Sequence, residues 1–229
     1  GTSTCLTATG GTTYSCAPST GLLTTTGASV TASPTVTTTY TVVVTDNLGA
    51  TATDTILVSV YRVPDVFFFL SDSFSCLGQQ ISFDGSACCG TPAYSYLWDF
   101  GDGSTSTEEN PTYAYSDAGI YDILLTVTTD AGCTNSILYE NLYITALLPN
   151  FTLENDCLTE EFSFENTSTL VAPSIFDSWE WNYGDGTTGD TEDGAHTYTE
   201  SGTYIVSLIA ISTTGCRDTM EKILEVYPL

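Results

Sequence analysis

Apolar and polar residues alternate along most of this chain with a period of two. The run Tyr204-Ile205-Val206-Ser207-Leu208-Ile209-Ala210 is the clearest case, as expected of a strand with one covered face. No stretch holds a helical period, and Thr, Ser, Val, Tyr and Phe dominate, so the pattern predicts β structure throughout. Strand-like runs fall at 4–8, 12–16, 38–45 and 51–61, at 67–70, 80–83, 94–100, 121–128 and 137–144, and at 151–153, 161–164, 179–183, 204–211 and 222–226. Gly10-Gly11 and Asp46-Asn47-Leu48-Gly49 read as hairpin turns. Val63-Pro64 and Leu148-Pro149 read as short, stiff joints, which divide the chain into units 1–62, 63–147 and 148–229.

The second and third units are copies of one another. Trp98-Asp99-Phe100-Gly101-Asp102-Gly103 returns as Trp181-Asn182-Tyr183-Gly184-Asp185-Gly186. From the last Gly of each run, an aromatic follows after 12 positions (Tyr115, Tyr198), a Gly after 16 (Gly119, Gly202) and a Cys after 30 (Cys133, Cys216). A register held that long marks tandem domains. Each run is a strand that delivers aromatic rings to a core and then turns tightly on Gly-Asp-Gly.

These motifs, with Tyr113-Ala114-Tyr115 and Ala118-Gly119-Ile120-Tyr121 in one copy and His196-Thr197-Tyr198 and Ser201-Gly202-Thr203-Tyr204 in the other, resemble the polycystic kidney disease (PKD) domain. The resemblance covers residues 63 to 229 and implies immunoglobulin-like β-sandwiches, usually non-catalytic and extracellular. Asn182 and Tyr183 depart from the usual Asp and Phe of the motif. In the first unit, Gly21 to Gly27, Val30 to Pro34 and Thr39 to Val42 resemble Ig-like repeats of Bacteroidota cell-surface proteins. The expected fold is all-β: three tandem immunoglobulin-like β-sandwich domains in a rod. The first lacks the strand that such a repeat would place before Thr2, which leaves an apolar slot and an open strand edge. Either that strand belongs to the same, longer chain, or another subunit donates it.

The charge narrows the partners. Three Lys and Arg stand against 28 Asp and Glu, a net charge of −25. Such a surface repels nucleic acid and anionic lipid, and no apolar run reaches the length of a membrane span. Eight cysteines in small β-domains imply disulfides and an oxidising compartment, hence a secreted or cell-surface location and a fragment of a longer mature chain. Equivalence between the copies predicts Cys76–Cys133 and Cys157–Cys216 bonds, and Cys5 and Cys16 flank Gly10-Gly11 closely enough to pair across a hairpin. Cys88-Cys89 is left over, as a strained vicinal disulfide or a free pair. Cys spacing and a single histidine argue against zinc.

Candidate chemistry is sparse. Asp99, Asp102 and Asp185 read first as turn caps. Calcium is the functional alternative, with Glu108 and Glu109, or Asp190, Glu192 and Asp193, as further oxygens. His196 has no Gly-x-Ser-x-Gly elbow to serve and stands where the other copy has Tyr113, so it reads as a packing or hydrogen-bonding residue near the turn. Trp98 and Trp181 belong to cores, and Trp179 is the candidate platform for a sugar. Asp54-Thr55-Ile56 and Asp218-Thr219-Met220 resemble an O-glycosylation motif of Bacteroidota, which makes Thr55 and Thr219 candidate modification sites. No catalytic constellation or cofactor motif emerges. The expected function is a structural or adhesive segment of a secreted surface protein or filament, with neighbouring domains, subunits or surface glycans as partners. The runner-up is an accessory binding module of a secreted degradative enzyme.

Overall fold

The computed structural model describes residues 2–153, 156–158, 161–171 and 174–228, and among these every regular element is a strand. Close packing groups the chain into two compact units: Gly1–Asp65 with Ala87–Ser95 and Val127–Asn135, and Val66–Ser86 with Tyr96–Thr126 and Ser136–Leu229.

The first five strands are β1 (Thr4–Thr7), β2 (Thr13–Ala17), β3 (Ser29–Ala32), β4 (Thr38–Thr45) and β5 (Thr51–Val58). They form a β1-β3 pair and a β2-β4-β5 sheet. Val30, Ala32 and Tyr40 are its buried apolar residues, and the Tyr40 hydroxyl donates to Thr20 O at 2.7 Å. The hairpin expected at Gly10-Gly11 is absent, because β1 and β2 lie in different sheets. The chain crosses there instead, with Gly11 pressed so closely on Val44 that a Cβ would sit 2.2 Å from its Cγ1. Cys5 and Cys16, expected to pair across that hairpin, do not bond; both are thiols lining the cavity between the sheets.

The second sandwich follows with β6 (Asp65–Leu70), β7 (Phe74–Cys76), β8 (Ile81–Cys88), β9 (Tyr94–Asp99), β10 (Thr105–Ser106), β11 (Thr112–Tyr113), β12 (Gly119–Thr129) and β13 (Thr134–Leu148). One sheet runs β11-β8-β6; the other runs β10-β9-β12-β13, with β7 parallel to β13. The third sandwich comprises β14 (Asp156–Cys157), β15 (Phe162–Phe164), β16 (Thr169–Val171), β17 (Phe176–Asn182), β18 (Thr188–Gly189), β19 (Gly194–His196), β20 (Gly202–Ser212) and β21 (Arg217–Tyr227). Its sheets are β14-β21-β20-β17-β18 and β15-β19.

Period-two alternation sets the two cores in matching register. Ile123, Leu125, Val127 and Thr129 on β12 are buried, and so are their counterparts 83 positions on, Val206, Leu208, Ala210 and Ser212 on β20. Between the sheets stands a buried tryptophan. Trp98 meets Phe68 edge-on at 5.0 Å, and Trp181 meets Phe151 edge-on at 5.1 Å. Each indole donates to a loop carbonyl, Glu108 O at 2.9 Å or Thr191 O at 3.0 Å, so its one polar atom is satisfied inside the core. Space for the ring comes from a different strand in each copy: Gly85 on β8 and Gly194 on β19 both lie where a Cβ would press on the indole.

Candidate functional site

Each repeated turn is a closed hydrogen-bonded unit. In the first copy, Asp99 Oδ1 accepts from Gly101 N, and Asp102 Oδ1 accepts from Ser104 N, both at 2.9 Å. In the second, Asn182 Oδ1 accepts from Gly184 N at 2.9 Å and Asp185 Oδ1 from Thr187 N at 3.0 Å. Asn182 thus replaces the usual Asp without loss, since only an acceptor is needed. Gly101 and Gly184 adopt φ of +81° and +84°, and a Cβ on either would sit 2.6 Å from a backbone oxygen of the facing strand.

Behind each turn runs a ladder of rings. Phe100 stacks on Tyr113 at 4.3 Å, Tyr113 meets Tyr115 edge-on at 5.0 Å, and Tyr115 packs on Tyr121 at 4.2 Å. Tyr183, His196, Tyr198 and Tyr204 repeat the order at 4.6, 4.6 and 4.2 Å. Tyr115 Oη donates to Phe100 O, and Tyr198 Oη to Tyr183 O, both at 2.8 Å and both buried. Burial pushes both phenols well above the ordinary tyrosine range.

The outer rung is where the copies differ. Tyr113 Oη donates to Asp102 Oδ2 at 2.7 Å, whereas His196 Nε2 takes that place against Asp185 Oδ2 at 2.7 Å. Partial burial pushes the Asp185 carboxyl up. The hydrogen bonds from Thr187 and the contact with His196 outweigh it and bring the group down to about 2. Asp102 is lowered in the same manner: burial raises it, and Tyr113 and Ser104 more than compensate. His196 thus packs in a ring stack and braces a turn. The calcium candidates Asp99, Asp102 and Asp185 spend oxygens on turn amides, and none of them joins a group of three close metal-ligating side chains among the described residues. Glu109, offered as a further calcium oxygen, accepts from Tyr96 Oη at 2.9 Å.

The joint between the copies is the larger departure from expectation. β13 does not stop where its sandwich ends. Its last residues pair with β16 of the next copy: Ala146 with Val171, Leu147 with Leu170, Leu148 with Thr169. Leu147, Ala210 and Cys216 form a buried cluster there, covered by Cys76, Leu170, Phe176 and Trp179. Trp179 lies 4.4 Å from Phe176 in this cluster, so the ring proposed as a sugar platform is committed to the joint.

A disulfide closes the same joint, and it is neither of the two expected. Cys76 bonds Cys216, across a sequence separation of 140. The reason is register. Cys76 stands beside Thr145, near the end of β13, whereas Cys133 precedes the start of that strand. Cys133 thus comes twelve residues before the partner of Cys76 in the chain and is out of register with it. Cys157 likewise pairs in register with Tyr227 at the end of β21, while Cys216 precedes its start. Each hairpin cysteine thus lies at the opposite end of its own sandwich from the early-strand cysteine. Cys216 meets the early-strand cysteine of the preceding copy, and Cys133 is an unbonded thiol. Thr55 and Thr219 are exposed on strands, each beside an Asp whose Oδ1 accepts from the Thr amide at 2.8 Å.

Together the twin cores, capped turns and fused joint define tandem immunoglobulin-like β-sandwich modules. The chain belongs to the PKD domain family, whose model matches residues 63–145 and 151–226. It is 40% identical over 86 residues to a microbial collagenase of Vibrio alginolyticus, covering 37% of this chain and 10% of that protein. It is 63% identical over 38 residues to the pre-pro-metalloprotease PrtV of Vibrio cholerae, covering 17% of this chain and 4% of that one. The chain thus spans a small part of these relatives. The N-terminal eight Ig domains of the Down Syndrome Cell Adhesion Molecule share the fold at a TM-score of 0.56, with 13% identity, over 99% of this chain and 34% of theirs.

Proposed function

We propose that the chain is a non-catalytic structural segment of an extracellular protein, which holds other parts of its assembly at a fixed spacing. The observation that carries this reading is the joint. A strand shared across two modules, a buried apolar cluster and a disulfide make residues 66–86, 96–126 and 136–229 one compact unit, suited to bearing force. The disulfide and the kinship with a collagenase and a metalloprotease support an extracellular setting. Hydrogen exchange on the whole chain tests the joint. Amides at 146–148 and 169–171 should exchange as slowly as those of β12 and β20; fast exchange there would remove the basis of the reading. Hydrolysis of gelatin, casein or polysaccharide by the pure chain would overturn its non-catalytic part.

The adhesive form of this reading rests on the first five strands. Between their two sheets lies a cavity of about 270 Å³, lined by Leu6, Val30, Tyr40, Val42 and Ile56 among others. β5 is an edge strand with Ile56 and Leu57 both more than half exposed. Residues 1–62 carry two acids and one base, so an uncharged strand from a second copy meets no repulsion there. Strand donation predicts filaments or higher oligomers in electron micrographs of the native material. A monomer at high concentration with rapidly exchanging β5 amides counts against it.

A second reading is favoured by the collagenase match. Here the chain is an accessory module that holds a substrate for an attached enzyme, with Phe67 and Phe69 on the edge strand β6, 41% and 68% exposed, as the contact. Retention on collagen fibres or insoluble polysaccharide, lost in a Phe67→Ala, Phe69→Ala variant, would select it.

A further inference from the structure

A cluster apart from the turns and the joint lies where β8 ends. Cys88 Sγ and Cys89 Sγ are 2.8 Å apart, inside ordinary van der Waals contact and beyond a bond of about 2.05 Å. The Asp65 carboxylate completes the group, with its ligating oxygen and both sulfurs within 4.8 Å of one another, all three side chains exposed. The backbone is set to keep the sulfurs together. Cys89 has φ of +70°, a left-handed conformation that a side chain seldom adopts without support. The support is visible in the next residue. A Cβ on Gly90 would lie 2.7 Å from Thr129 Cγ2 and 3.4 Å from Pro64 Cα, and Tyr94 Oη donates to Gly90 O at 3.3 Å. Asn135 Nδ2 fixes Pro64 in turn through its carbonyl at 2.8 Å.

We propose that Cys88 and Cys89 are a redox pair that closes to a vicinal disulfide by exchange with an external small-molecule or protein disulfide. The Cys88 thiolate attacks one sulfur of the external disulfide and releases one external thiol, leaving a mixed disulfide. The Cys89 sulfur then attacks Cys88 Sγ and releases the second external thiol. Overall the pair loses two protons and two electrons, and one external disulfide takes them up to become two thiols. Two observations favour oxidation over a metal ion. The Cys76–Cys216 bond shows the chain in its oxidised form. The hydrogen bond with Cys88, followed by burial, the Cys88 charge and Asp65, pushes the Cys89 thiol up to about 11. Either outcome removes the Cys89 proton, but the disulfide leaves two neutral sulfurs beside the Asp65 carboxylate and so ends the charge conflict without an ion.

The test uses the whole chain, purified without reductant and equilibrated in a glutathione buffer that keeps Cys76–Cys216 closed. Thiols are alkylated and the peptides mapped. The peptide carrying both Cys88 and Cys89 should be two hydrogens short and unmodified. It should gain two adducts at a reductant level that spares Cys76–Cys216. Two adducts before any reduction would overturn the proposal. So would a pair shielded by one equivalent of metal in the native mass spectrum and alkylated after EDTA. Asp65→Asn leaves both thiols in place and tests the carboxylate separately. Alkylation of the reduced pair near neutral pH should speed up several-fold, and an unchanged rate would remove Asp65 from the site.

Discussion

Tyr115 and Tyr198 show how a single hydroxyl decides a buried turn. Each phenol donates to the carbonyl of the motif aromatic, in a place sealed from water. Tyr115→Phe keeps the ring in its stack and removes only the donor. The change should cost about 1–3 kcal/mol, since a buried carbonyl loses its partner. Urea unfolding should show a lower midpoint at unchanged slope. Asp185 gives a prediction of opposite location, at the rim. Its folded pKa of about 2 lies below the unfolded value of about 3.9. The unfolded state therefore binds more protons between these values, and the stabilisation from Asp185 is full above about pH 4 and lost as pH falls toward 2. Asp185→Asn should flatten the fall in melting temperature over that window and leave the rest of the profile unaltered. The carboxylates were legible as caps in the sequence, because Asx geometry is local and Gly-Asp-Gly states it directly. The glycine that makes room for each tryptophan was not. Gly85 and Gly194 sit on non-equivalent strands, and only the packed sheets show that they serve equivalent indoles, Trp98 and Trp181.

Elements are legible in the sequence within each sandwich and not across the joint between them. Strands such as Thr38–Thr45 and Gly202–Ser212 announce themselves by alternation, and the aromatic motif fixes their order. Pro149 suggested a break at the joint, and β13 does end just before it. Nothing local signals that Ala146 to Leu148 will pair with Thr169 to Val171, or that β13 runs 15 residues. The pairing of the disulfide has the same origin. Equivalent cysteines suggested bonds within each copy, but strand length carries the hairpin cysteine to the far end, where it meets the neighbouring copy. The consequence is measurable. Closing a loop of this length constrains the unfolded chain by about 5 kcal/mol in the chain-entropy model. A Cys76→Ala, Cys216→Ala chain should lose stability of that order. Its two PKD modules should begin to unfold as separate calorimetric transitions, where the parent shows one.

Charge organises the molecule as a whole, and it is not evenly spread. Residues 1–62 hold two acids and one base, residues 63–147 eleven acids and no base, and residues 148–229 fifteen acids and two bases. The two bases in the last segment are already engaged: Arg217 reaches Glu180 at 2.6 Å, and Lys222 donates to Phe151 O and lies over the Phe151 ring. The acidic surface of the PKD modules therefore has little internal compensation and repels itself. The repulsion acts over about 30 Å at 0.01 M salt and about 10 Å at 0.1 M. Salt should accordingly stabilise the two parts of the chain unequally. Hydrogen exchange at low and at physiological ionic strength separates them, reporting on β12 and β20 against β4. Protection of β12 and β20 should rise with salt, while β4, in the near-neutral first segment, should change little. An equal response in all three strands would mean that the charge acts between copies of the chain and not within it. The same asymmetry sets where copies can approach. At low salt, contacts through residues 63–229 are opposed on both sides, and the segment of near-zero charge is also the one with an open cavity and an exposed edge strand. Oligomers that persist at low ionic strength should therefore be joined through residues 1–62. Crosslinks formed under those conditions should map to β1 and β5, and crosslinks found mainly on the PKD modules would place the contact elsewhere.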